Sequence, residues 1–251
     1  MSKWMAHIGW DEVPHLSAND KADLMATLPP HQREARSKGI PSLGSGLIYP
    51  IAESAITVRD FEIPPHYKRA WALDVGWQCT AALWGAIDTE TDIEYVYASY
   101  KRGLAEPETH AAAIKKRGAW IPGVGDAAAT SQMDGRKMLD IYRKEHGLDL
   151  ELAQKSVESG IYAVWLRLNN GTLKIFSSLG NLFDEFRFYA RDDKGRIVKK
   201  DDHLMDCLRY LVMSGFTRAK QLPVEDAAQA EMDRLERYVA LGTVSTGWMR
   251  A

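Results

Sequence analysis

Cysteine is nearly missing. Cys79 and Cys207 are the only two, far apart and without CxxC spacing, which argues against a zinc site or a disulfide framework and fits a reducing cytoplasm. Long apolar runs are missing too. No stretch approaches the ~18 residues that span a bilayer, and Met1-Ser2-Lys3-Trp4 opens no signal-peptide core. The chain is therefore expected to be neither exported nor membrane-anchored. No charge of one sign dominates: 32 Lys and Arg against 34 Asp and Glu leave a net −2, so any polyanion must be met by a local basic patch. No Gly-x-x-x-x-Gly-Lys-Ser/Thr occurs, hence no P-loop to cradle ATP, and Gly44-Ser45-Gly46 reads as a turn in a proline-rich stretch. No serine or cysteine is framed as a nucleophile, and His203 beside Asp202 is too generic to indicate a triad.

What is present is an ordinary globular composition, 45% hydrophobic and 26% charged, enough to bury a core. Residues 1 to about 65 are punctuated by Leu28-Pro29-Pro30 and Gly39-Ile40-Pro41 and read as a linker or the tail of a preceding domain. One helix interrupts them, Ala18 to Thr27, started by Ser17 and ended by the prolines. From Lys68 the pattern becomes regular. Arg69 to Gly76, Thr80 to Ile87 and Ile93 to Tyr100 form a three-stranded meander, the last two joined through the polar turn Asp88-Thr89-Glu90-Thr91-Asp92. Helices and strands then alternate: a helix from Pro107 to Lys116, a strand Ala119 to Val124, a helix Gln132 to His146, and Leu148, Leu150 and Leu152 alternating as a strand. A helix Val157 to Leu168, a strand Thr172 to Phe176, a helix marked by Leu179, Leu182, Phe183 and Phe186, and a helix Asp202 to Ser214 follow. A tail helix is expected from Pro223 through Ala240. The order β-β-β-α-β-α-β-α implies an α/β fold, a mixed central sheet flanked by helices. The expected divisions are 1–65, 66–217 and a helical tail 218–251.

Three carboxylates stand where this layout brings element ends together: Asp74 ending the first strand, Asp126 just after the fourth, and Asp206 inside the last core helix. Taken singly, each is better explained as a cap or turn residue. Gly76 after Asp74, and Gly123 and Gly125 before Asp126, mark places where the chain turns sharply or lets metal or backbone come near. Asp206 is the most informative, because its helix is apolar on most sides and an unpaired carboxylate there is costly. Its partner is Arg209 or His203, three residues away, or a metal ion. Asp202, one turn earlier on the same face, would let the helix present two carboxylates to one point. Acids in this number suit two hard cations, Mg²⁺ or Mn²⁺, about 4 Å apart, which would activate water and stabilise the departing 3′ oxygen of a phosphodiester.

Immediately before that helix lie Arg191, Lys194, Arg196, Lys199 and Lys200, opposed by Asp192 and Asp193. As a charge run alone this is a solvated loop; beside the acids it reads as a contact for DNA. Lys115, Lys116 and Arg117 form a second, weaker basic cluster.

Three motifs carry a family resemblance: Ala72-Leu73-Asp74-Val75-Gly76-Trp77, Gly123-Val124-Gly125-Asp126-Ala127, and Asp202-His203 followed by Asp206-Cys207-Leu208-Arg209-Tyr210. Through them the chain resembles the C-terminal nuclease domain of tailed-phage terminase large subunits, of the RNase H-like fold shared with resolvases and integrases. The resemblance implies Asp74, Asp126 and Asp206 as catalytic metal ligands, with Asp202 as a fourth ligand. It also implies Mg²⁺- or Mn²⁺-dependent cutting of concatemeric double-stranded DNA at the start and end of packaging. Residues 11–50 resemble the segment that joins the packaging ATPase to the nuclease, although the ATPase itself is missing, as in a dissected domain or a split subunit. The partners it implies are DNA, the ATPase domain, the portal protein and the small terminase subunit, in the host bacterial cytoplasm and with no membrane, the tail after Arg218 docking on the portal. Two other readings stay open: a resolvase- or transposase-type nuclease of the same fold, and a non-catalytic module whose acids only pair with lysines and arginines.

Overall fold

The computed structural model describes residues 8–28, 33, 36–39, 46–126, 138–192, 194–223, 232 and 235. Helix α1 (Ala18–Thr27) starts at Ser17, whose hydroxyl accepts the Asp20 N–H while the Asp20 carboxylate accepts the Ser17 N–H, a reciprocal cap written in the local sequence. A short helix α2 (Glu53–Ile56) leads into β1 (Thr57–Val58). The meander follows as β2 (Lys68–Asp74), β3 (Thr80–Ile87) and β4 (Glu94–Arg102), all antiparallel. Then come α3 (Pro107–Lys115), β5 (Gly123–Gly125), α4 (Met138–Asp140, continuing as a wider turn over Ile141–Glu145), and β6 (Leu150–Leu152). The chain closes with α5 (Val157–Asn169), β7 (Leu173–Phe176), α6 (Gly180–Phe188) and α7 (His203–Tyr210).

The strands make one seven-stranded sheet in the order β1-β7-β4-β3-β2-β5-β6, parallel wherever a helix intervenes and antiparallel within the meander. This is the mixed sheet that the element order implies. β3 lies at its centre and is buried on both faces, which is why its sequence reads as a continuous apolar run. One face, with Ala70, Ala72, Leu83 and Val96, packs on α5, α6 and α7 through Val164, Leu182, Phe186, Leu204 and Leu208; the other, with Trp71, Leu73, Trp84 and Ala98, packs on α3 and α4 through Ile114, Leu139 and Tyr142. Val96 and Ala98 face opposite ways although they are two apart, because the register slips between Trp84 and Gly85 and leaves Tyr97 as the extra residue of a bulge.

Several boundaries differ from expectation for local reasons. The strand expected over Ala119 to Val124 is paired only from Gly123, because Pro122 has no N–H to give the ladder and Ile121 closes a turn onto the Gly118 carbonyl. The last core helix keeps regular geometry to Tyr210 and widens over Leu211–Gly215, where Ser214 Oγ donates to the Tyr210 carbonyl and competes for the helical ladder. Tyr49, Ile56 and Ile63 belong to the core and β1 pairs with β7, on the N-terminal side of residue 65. The first half of the helix expected over 132–146, Asp193, and most of the tail helix lie outside the described residues; of that tail, Met232 and Leu235 are helical.

Two of the flagged glycines turn out to accommodate the protein itself. A Cβ on Gly76 would stand 2.8 Å from the Cys79 carbonyl oxygen, and one on Gly123 would stand 2.2 Å from the Trp71 indole. The Trp71 ring is fixed by a hydrogen bond from Nε1 to the Ile121 carbonyl at 2.9 Å and cannot give way. Gly123→Ala is therefore expected to destabilise the protein by about 1–3 kcal/mol through overpacking, read as a lower urea midpoint with unchanged slope; an unchanged midpoint would mean that the indole has room to move.

Candidate active site

β2 and β5 run parallel and in register, Leu73 opposite Gly125, and the Asp126 N–H donates to the Leu73 carbonyl at 3.3 Å. Asp74 and Asp126 thus leave the sheet side by side at the carboxyl ends of neighbouring parallel strands, the edge of an open α/β sheet where ligands are met. Helix α7 packs across β2 and β3. Its Cys207 is wholly buried and donates to the carbonyl of Ala81, the residue paired with Asp74, at 3.3 Å. That contact seats the helix turn carrying Asp206 against the strand pair that ends at Asp74. The three acids meet electrostatically at one phenol: burial raises the Tyr210 pKa, and the charges of Asp206, Asp126 and Asp74 raise it further.

Each acid also has a cationic neighbour. Asp206, its side chain 13% exposed, accepts from Arg209 Nη2 at 2.6 Å, and Lys199 Nζ lies 3.5 Å away. Burial nevertheless dominates and raises the Asp206 pKa, against the pull of Arg209 and Lys199. Of the two partners open for Asp206, Arg209 is the one in place. His203 turns to Asp74, its Nδ1 2.8 Å from Oδ2, and that hydrogen bond is the main cause that lifts the imidazole pKa to about 10. The contact with the Asp74 carboxylate favours the protonated imidazole. Lys155 Nζ stands 2.9 Å from Asp126, and Lys199 Nζ stands 3.0 Å from the buried Oδ2 of Asp202.

The basic run before α7 splits in two. Arg191 forks onto Glu158 at 2.7 and 3.0 Å, and Arg196 pairs with Asp192 at 2.9 Å. Lys199 turns to the acids, while Lys194 and Lys200 are exposed. In the weaker cluster, Arg117 lies 4.7 Å from the Trp84 ring centroid and donates to the Ser99 carbonyl at 3.1 Å.

Sequence reasoning passed over Lys155 and Glu185. Lys155 follows β6, the parallel neighbour of β5, so its loop opens at the same edge as Asp126; only the strand order reveals that. Glu185 did leave a signal, since it falls on the apolar stripe Leu182, Phe183 and Phe186 of α6, where a carboxylate needs a reason.

Among the described residues, no three His, Cys, Asp or Glu side chains are grouped closely enough to hold one ion between them. A hard divalent cation asks for less, because magnesium takes one or two carboxylates and completes its shell with water and phosphate. The donors here are all carboxylate oxygens, and among the described residues the buried Asp202 Oδ2 is held only by the Lys199 ammonium, whose side chain is 64% exposed and can turn to water. The residues fit a cation of that kind.

No family model matches the sequence. The chain is 33% identical over 224 residues to the terminase large subunit of Salmonella phage P22, covering 82% of this chain and 44% of that protein. It is 33% identical over 215 residues to the terminase large subunit of Enterobacteria phage LP7, covering 79% and 44%. The chain thus spans less than half the length of these relatives. Among solved structures, the P22 large terminase nuclease domain superposes with a TM-score of 0.65 at 28% identity, over 71% of this chain and 96% of that domain.

Proposed function

The chain belongs to the terminase large-subunit family and has the RNase H-like fold of its nuclease domain, and from that premise we propose that it is a divalent-metal-dependent endonuclease. It cuts concatemeric double-stranded DNA at the start and end of genome packaging. The observation that carries this reading is the placement of Asp74 and Asp126 at adjoining strand ends with Asp206 on the helix that crosses them. Asp74, Asp126 and Asp206 would hold two Mg²⁺ or Mn²⁺ ions, with Asp202 as a further ligand. When bound, the ions supply an acidified water and charge neutralisation at the scissile phosphate.

The chain's own groups do the rest. Arg209, 2% exposed, fixes the Asp206 carboxylate through one short hydrogen bond. The His203 imidazolium fixes one oxygen of Asp74. Lys155 and Lys199 bring ammonium groups to the rim of the cluster, where they can meet phosphate oxygens once the carboxylates are otherwise engaged. Translocation, the ATPase, the portal and the small subunit belong to the whole terminase, and their partnership with this domain is part of the same proposal.

The ion pairs at the acids favour a second reading, a non-catalytic docking module. Incubating the protein with supercoiled plasmid in Mn²⁺ or Mg²⁺ separates the two: cleavage that EDTA stops is expected, and an intact plasmid in the presence of folded protein would select the docking module. A linear duplex and a four-way junction are compared in the same assay, and a strong junction preference would replace the packaging reading with a resolvase.

DNA binding gives a separate expectation. The Lys194→Ala, Arg196→Ala, Lys200→Ala triple variant leaves Lys199 at the acids and should flatten the slope of log affinity against log salt by about 1 for each lost phosphate contact. An unchanged slope would return these three residues to a solvated loop.

A further inference from the structure

Helix α7 is capped from elsewhere in the fold. Asp202 occupies its N-cap, where an aspartate ordinarily turns its carboxylate back to accept the N–H of the second or third helical residue, yet it makes no such bond. Those N–H groups, on Leu204 and Met205, donate instead to Glu185 Oε2 at 2.7 and 3.3 Å. The other oxygen of Glu185 accepts from Lys101 Nζ at 2.6 Å.

Glu185 is 4% exposed, within the apolar stripe of α6. Burial raises its pKa, and Lys101 and the two amides only partly offset this. A leucine or methionine would fill the position without that desolvation cost, so packing does not account for a carboxylate here. Its effect lies across the helix. With the amides of α7 already satisfied, Asp202 has no cap to form, and its buried Oδ2 is left to the Lys199 ammonium at 3.0 Å, one turn before Asp206.

We infer that Glu185 is a positioning residue, which caps α7 in place of Asp202 and so keeps the Asp202 carboxylate off the helix, where a divalent cation beside Asp206 can take it from Lys199. The inference rests on reading the acid cluster as a metal centre. It deepens that reading, because it makes Asp202 a ligand by virtue of a residue that touches neither metal nor DNA.

The test is Mn²⁺ binding by titration calorimetry on the full chain, with thermal unfolding alongside. Replacing the pair by Glu185→Leu with Lys101→Met keeps volume and removes the cap; Asp202 then turns back onto α7, and Mn²⁺ affinity is expected to fall about tenfold, within the range for residues that orient ligands. Glu185→Gln with Lys101→Met restores an acceptor oxygen and should recover affinity to within about twofold of wild type. Asp202→Asn should cost about tenfold in the wild-type background and nothing further in the Leu/Met background, the non-additivity of two changes acting on one group. A folded Leu/Met variant with wild-type affinity overturns the inference. If that variant does not fold, Asp202→Asn alone decides, and an unchanged affinity overturns it equally. Asp206→Asn separates the two levels: Mn²⁺ binding that this change leaves untouched sinks the metal centre itself, whereas binding lost with Asp206→Asn but kept in the Leu/Met variant sinks only the role of Glu185.

Discussion

Asp74→Asn is expected to lower metal-dependent plasmid cleavage by at least about 10³-fold, in the range lost when a preorganised electrostatic group is removed from a transition state, while the melting temperature stays within a few degrees. The amide has the size of the carboxylate and lacks its charge. The stake of the fold in that charge is its pair with His203, and because that partner is a third exposed and can turn to water, solvent screening keeps the loss on the order of 1 kcal/mol. The chemistry has a large stake, because Asp74 and Asp126 are the two carboxylates that adjoining strands deliver together. Cleavage rate and unfolding midpoint are measured on the same preparation. A variant that cuts as fast as wild type would remove Asp74 from the catalytic set.

Arg209→Met should have the opposite profile, a large loss of stability. Arg209 is 2% exposed and stands 2.6 Å from Asp206, itself mostly buried. Methionine fills much of the space but leaves a carboxylate without its main counter-charge, a situation that costs about 3–5 kcal/mol when one partner of a buried pair is removed. In a chain of this length that corresponds to a fall in melting temperature on the order of 10 °C. Lys199 does not substitute, being 64% exposed and 3.5 Å from the carboxylate; such a pair contributes less than about 1 kcal/mol. Adding Asp206→Asn to Arg209→Met removes the stranded charge and should recover part of the loss. A melting temperature unmoved by Arg209→Met would show that Asp206 is hydrated or protonated without it.

What could be read in the sequence follows from the range of the interactions. β3 and α1 were legible to the residue, one as an unbroken apolar run between polar turns, the other from its own cap and the prolines after it. α2 and β1 were not, because four- and two-residue elements in a proline-punctuated segment have no period to detect, and β1 exists only through its pairing with β7. The same division runs through the acids. The Asp206–Arg209 partners are three positions apart and visible on a helix, whereas the partner of Asp74 lies 129 residues away and depends on how α7 crosses the sheet. Gly123 was visible as a place of close approach, but whether an indole or a ligand makes that approach is a matter of tertiary packing.

The cations already standing at the acids decide the order in which this domain is assembled. With Lys155 at Asp126, Lys199 at Asp202, Arg209 at Asp206 and His203 at Asp74, the negative charges are balanced within the polypeptide. Folding is therefore expected to need no ion, unlike small metallodomains whose binding free energy is their folding free energy. On the metal-centre proposal an incoming cation would compete with these tethered cationic side chains, which would weaken its hold and make loading reversible. A chelator should accordingly silence the protein without unfolding it, and a molecule rested in EDTA should regain activity on remetallation at the speed of ion binding, with no refolding phase.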